Sequence, residues 1–111
     1  GVAQLAEENK AKKADLVMRI AARMQTYFSF TSLEFYDVSK EGDAQKVDLF
    51  YLQSVSMVDF LIKRFGSEKF GLWCRQMASG KSFSEAFRFV YGSYIDSWSS
   101  FEKKWVAYLK E

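Results

Sequence analysis

The chain has 111 residues, enough for one domain and no more. Apolar residues make up 49% and charged residues 27%, so it is expected to fold around a core rather than stay disordered. Sixteen Lys and Arg against 14 Asp and Glu leave a net charge of +2, too balanced to mark a nucleic-acid or membrane-surface binder.

The absence of histidine excludes the His-dependent catalytic and metal sites from this chain alone. No Ser-His-Asp or Cys-His nucleophile system can be built, and no H-E-x-x-H zinc site or Cys/His finger. The single Cys74 excludes an internal disulfide and a cysteine-only metal site. No apolar run approaches the roughly 18 residues needed to span a bilayer. The opening residues do not read as a secretory signal, and nothing assigns a compartment. Proline is absent and Gly numbers only 6, which favours long helices over a turn-rich β fold.

Residues 2–26 read as one helix. Leu5, Leu16, Ile20 and Met24, with several alanines, form an apolar stripe, while Glu7, Glu8, Lys10, Lys12 and Lys13 face water. Residues 27–46 break that pattern. Tyr27, Phe28, Phe30, Phe35 and Tyr36 alternate with small polar residues before the turn-like Ser39-Lys40-Glu41-Gly42-Asp43. A loop of roughly twenty residues is unusual in a compact domain, so its aromatic half requires a cover.

From Asp48, read as an N-cap, a helix runs to about Arg64. Its wide apolar set, including Tyr51, Leu52, Val55, Val58, Phe60 and Leu61, predicts a central position. Gly66 suits a left-handed C-cap. Ser67 is read as the cap of the next helix, with Phe70, Trp73, Cys74 and Met77 inside and Gly80 at its end. Ser82-Phe83-Ser84-Glu85 has the spacing of a capping box. The helix it starts carries Phe83, Ala86, Phe87 and Val90 and ends at Gly92. A last helix from near Ser93 carries Ile95, Trp98, Phe101, Trp105, Tyr108 and Leu109 on one face.

Several motifs reduce to structure. Gly80-Lys81-Ser82 ends like a phosphate-binding loop, but Arg75 stands where that loop needs its first Gly, and a helix precedes it instead of a strand. The helices flanking Gly80 could form a helix-turn-helix, but the second offers only Arg88 to bases. Cys74 has no His to activate it and reads as a buried structural thiol. The carboxylate pairs Glu7/Glu8 and Glu41/Asp43 lack the apolar setting that would raise a pKa for acid–base work.

The second half carries a family pattern. It begins with Phe50-Tyr51-Leu52-Gln53-Ser54-Val55-Ser56 and runs through Arg64-Phe65-Gly66 to Glu68-Lys69-Phe70. Gly80-Lys81-Ser82-Phe83-Ser84-Glu85-Ala86-Phe87, then Tyr91-Gly92, and finally Phe101-Glu102-x-x-Trp105-x-x-Tyr108-Leu109 complete it. Residues 47–110 thereby resemble the C-terminal helical half of gluzincin zinc metallopeptidases, the peptidase MA-like group. The opening Gly1-Val2-Ala3-Gln4-Leu5-Ala6-Glu7 resembles that group's third-ligand segment, E-G-x-A-x-x-x-E, from one residue after the ligand Glu. The resemblance implies that the H-E-x-x-H helix and the ligand Glu lie upstream. It also implies zinc in the intact parent but none in this chain, and a peptide or protein substrate.

One site residue follows from the resemblance. In aminopeptidase-like gluzincins a Tyr fifteen residues before the helix-ending Gly stabilises the oxyanion of the tetrahedral intermediate, and Tyr51 lies fifteen before Gly66. A phenolic O–H suits that role because it donates to developing negative charge without carrying charge itself.

The expected fold is all-α, about five helices in a compact orthogonal bundle with a long aromatic-rich loop between the first and second. Residues 1–46 form an N-terminal helix plus that loop, expected to expose an apolar patch where an upstream catalytic half docks. Residues 47–111 form a four-helix subdomain. The function expected is a C-terminal helical subdomain of a metallopeptidase, inactive in isolation, that walls part of the substrate cleft. The alternative is a small helical protein–protein interaction module with no peptidase role.

Overall fold

The structure, a computed structural model, describes residues 2–111 and, within them, all side chains but those of Ala3, Gln4 and Glu7. Those residues fold into six α-helices: α1 (Val2–Met24), α2 (Phe30–Glu34), α3 (Ala44–Phe65), α4 (Ser67–Ala78), α5 (Phe83–Tyr91) and α6 (Trp98–Leu109). A 3-10 turn spans Val38–Lys40, and no strand occurs among the described residues. The expected all-α architecture is present. Helix α3 is central, packed by α1, α4 and α6, while α2 lies on α6 and α5 on α4.

Helix boundaries follow local chemistry, not always at the expected residue. Asp43, not Asp48, caps α3, its carboxylate accepting from the Gln45 N–H at 2.9 Å. Helix α3 therefore starts one turn earlier, and Asp48 lies exposed within it. Gly66 ends it at φ +95°, a region open to glycine at little cost, and its N–H donates to the Ile62 carbonyl at 2.8 Å. Gly66 also precedes α4, so Ser67 is the first helical residue and makes no cap. Ser82 caps α5, accepting from the Glu85 N–H, and donates its hydroxyl to the Glu85 carboxylate. Helix α6 begins at Trp98 under a Ser97 cap, so Ile95 is buried from the preceding turn and not from the helix.

Two expected faces turn the other way. On α1 the core takes Ala14, Met18, Ala21 and Ala22, while Leu5, Leu16, Ile20 and Met24 stand 52–67% exposed. Small side chains let α1 approach α3 closely, so the larger stripe on the opposite side is left outward. On α4 the buried position is Trp73, and Cys74, about 100° further round the helix, is exposed. It is not a core thiol.

The stretch 27–46 is not one long loop. It holds α2, the 3-10 turn and the start of α3, and it is pinned by side chains of α3 and α6. Gln53, fully buried, accepts from the Phe28 N–H at 2.9 Å and donates from Nε2 to the Phe28 carbonyl at 2.8 Å. Two residues on, the Glu102 carboxylate accepts from the Phe30 N–H at 2.5 Å, and Trp98 Nε1 donates to the Phe30 carbonyl at 2.8 Å. The Phe30 ring is thereby set against Trp98, Phe101 and Trp105, with ring centres 4.9–5.4 Å apart. In the same core Trp105 Nε1 donates to the Ser56 hydroxyl at 3.0 Å. Arg19 ties α1 to the end of α6, donating to the Leu109 carbonyl at 3.2 Å while lying over the Tyr108 ring.

Two stability predictions follow from these contacts. Gln53→Ala strands a buried N–H and C=O, so chemical denaturation should show a loss of about 2–4 kcal/mol, whereas exposed Gln45→Ala should change little. Tyr91 is fully buried, its hydroxyl has no partner among the described residues, and burial pushes its pKa up to about 12. The unfolded phenol ionises near its ordinary value and the folded one later. Stability should therefore fall between about pH 10 and 12. In Tyr91→Phe that slope should shrink, with neutral-pH stability unchanged or slightly higher.

Candidate functional site

The outer face of α3 carries the features relevant to function. Tyr51, Val55, Val58 and Ile62 follow at steps of four, three and four, so they share one side of the helix. Tyr51 is 55% exposed and its hydroxyl makes no hydrogen bond to a described residue. It sits in the second turn of α3 and not at the helix start, because the Asp43 cap lengthens the helix. Its ring is held from one side by an aromatic series. Phe28 packs on Tyr36 with centres 5.2 Å apart, Tyr36 stacks on Phe50 at 4.9 Å, and Phe50 meets Tyr51 edge-on at 5.6 Å. Burial, with Glu41 and Asp43 close by, holds the Tyr36 phenol above its ordinary pKa.

Beside Val55, Val58 and Ile62 runs an apolar groove of about 560 Å³, flanked by Lys10 and Ala11 of α1 and by Phe70 of α4. Across Ser54, Val58 and Phe70 it adjoins a smaller pocket of about 180 Å³ that reaches Leu33 and Glu34 of α2 and Trp73 of α4. The larger volume lies within the range of small-molecule and peptide side-chain sites. Nothing in the sequence joins these parts, since their residues run from 10 to 98.

A second exposed feature is the Leu16–Ile20–Met24 stripe of α1, flanked by Lys12, Lys13 and Arg23. Exposed Phe35 adds a further unpartnered ring on residues 1–46.

The family model of the peptidase MA superfamily matches residues 1–111. The chain belongs to the peptidase MA superfamily. Comparison with curated proteins and with solved structures gives no match.

The superfamily implies zinc in an intact parent, but the described donors of this chain do not make a zinc centre. There is no His, and among the described residues no three Cys, Asp or Glu side chains gather where one ion could be held. The matched opening segment falls partly outside the described residues, at Gly1 and at the side chains of Ala3, Gln4 and Glu7. Glu8 is exposed. Glu41 and Asp43 are engaged in the turn before α3, Glu41 accepting from the Asp43 N–H and Asp43 capping the helix. Lys81 lies 3.9 Å over the Phe89 ring, so Gly80-Lys81-Ser82 is a helix stop and cap. Among the described residues, no helix is long and apolar enough to cross a membrane.

Because the α1 stripe is exposed, Leu16→Ser and Ile20→Ser should each shift unfolding by less than about 0.5 kcal/mol. Met18→Ser, between them in sequence but buried, should cost about 2–4 kcal/mol in the same measurement.

Proposed function

We propose that this member of the peptidase MA superfamily is the C-terminal helical subdomain of a gluzincin-type metallopeptidase, inactive by itself. The outer face of α3 would form part of the substrate cleft. The observation that carries this reading is the apolar groove alongside α3 on the face where Tyr51 stands exposed, one turn before Ser54 and Val55. A peptide lying there would meet apolar side chains and, at one end, a phenol free to donate. The aromatic series behind Tyr51 limits its ring motion, so the O–H could be presented to an oxyanion without ordering a loose side chain at the moment of reaction.

In this reading residues 1–46 form the edge that meets the upstream half, with the Leu16–Ile20–Met24 stripe as the contact. That stripe equally favours the alternative, a helical protein-interaction module without peptidase role.

Two measurements test the reading. The coding sequence upstream of residue 1 should contain H-E-x-x-H and then a Glu just before Gly1 or Val2; their absence would leave only the interaction module. In the intact enzyme Tyr51→Phe should lower kcat about 10²-fold with KM little changed and unfolding unaltered. Unchanged turnover would remove Tyr51 from the mechanism.

A further inference from the structure

On the side of α3 away from Tyr51, a pocket of about 410 Å³ opens between the end of that helix, the turn before α6 and α6 itself. Arg64 follows Tyr51 by thirteen residues, which at 3.6 residues per turn puts it about 140° round the helix. The pocket is therefore separate from the groove beside Val55 and Val58, with which it shares no residue. Its size is that of a small-molecule site.

The wall is part aromatic and part cationic. Phe60 meets Tyr108 with ring centres 5.1 Å apart, and Phe65 meets Tyr94 at 5.2 Å. The Arg64 guanidinium lies over the Phe60 ring, 5.4 Å from its centre. That contact holds the charged end of the side chain at the pocket, because Phe60 is one of its lining residues. Lys104 adds a second cation to the wall, and Lys69 stands 5.2 Å over the outer Tyr94 ring.

These cations are unspent. The ion pairs among the described residues engage Arg19, Lys40 and Lys63, and the arginine hydrogen bonds are all made by Arg19. A ring face attracts the Arg64 charge but offers no lone pair to its five N–H donors. The one acid on the wall is the exposed Glu111, so the lining is net positive. The two oxygens of a carboxylate match the fork of a guanidinium, and the neighbouring rings offer an apolar bed for an aryl group.

We propose that this pocket binds a small aromatic carboxylate, its oxygens on the Arg64 guanidinium and its ring against Phe65, Tyr94 and Tyr108. The inference does not rest on the peptidase reading, because it concerns this chain alone and a different side of α3.

The test is titration of the full chain with 3-phenylpropionate, followed through the Arg64 Nε–H resonance and the backbone amides of Tyr94 and Tyr108. These should shift saturably, while the indole of Trp73, which lines the other pocket, should stay in place. Neutral 3-phenylpropanol should bind more weakly, and 3-phenylpropylammonium more weakly still. Arg64→Gln should weaken the carboxylate about tenfold and leave the alcohol nearly unchanged. Its fold should persist, since Arg64 is exposed and has no ion pair among the described residues, and an unchanged Trp73 indole resonance checks this. Tyr94→Ala removes an exposed ring and should weaken the carboxylate and the alcohol together. The proposal is overturned if carboxylate and ammonium bind alike, if Arg64→Gln leaves the carboxylate's affinity unchanged, if Tyr94→Ala alters neither ligand, or if no resonance of Arg64 and Tyr94 shifts saturably.

Discussion

Gln53 carries both ends of its amide to one peptide unit, the N–H and C=O of Phe28, in a site closed to solvent. A strand or helix would satisfy those two groups by regular pairing. Phe28 lies in neither, and burying its peptide groups unbonded would oppose folding. Gln53 lifts that constraint, and Glu102 and Trp98 repeat the device on Phe30. Much of the rest depends on it. With the segment pinned, Phe30 enters the core, Leu33 and Glu34 close one wall of the small pocket, and Tyr36 reaches Phe50 and, through it, Tyr51.

Helix α1 shows a different constraint. It joins the core through Ala14, Ala21, Ala22 and Met18, and its end is set by Gln25 at φ +57°, with the Thr26 N–H bonded back to the Ala21 carbonyl. No glycine announces that stop. Small residues facing α3 bring the two backbones together, and Arg19 fastens the helix to the carbonyl end of α6. The larger apolar residues are then geometrically obliged to point away. The same helix thus serves as a core element and an unpartnered apolar surface.

Much of the local structure was legible in the residues. Ser82-x-x-Glu85, Gly66 and the three-four spacing of Phe101, Trp105 and Tyr108 encode caps and faces through contacts within one or two turns. Asp43 and Asp48 illustrate where legibility ended. Both are good cap residues, and choosing between them requires the preceding chain to be extended at the right point, which tertiary contacts settle. The apolar stripe of α1 was visible, but which of two apolar arcs faces inward depends on the partner helix. Cys74 fails for the same reason, since residues 70, 73, 74 and 77 are neighbours on a helix and only the packed partners choose among them. Tyr51 was singled out through the family resemblance, and the groove beside α3 could not be read at all, because its walls come from distant stretches of chain.

By itself, then, the sequence determined the helical class, most helix ends, the lack of any histidine for catalysis or metal binding, and membership of a peptidase superfamily. Those depend on composition, local hydrogen bonding and the order of residues along the chain. Only the tertiary structure decided which face of α1 is buried, how the Phe28 and Phe30 peptide groups are held, and that α1, α3 and α4 enclose an apolar groove. Those depend on side chains dozens of residues apart meeting at hydrogen-bond distance, and no local pattern records such meetings.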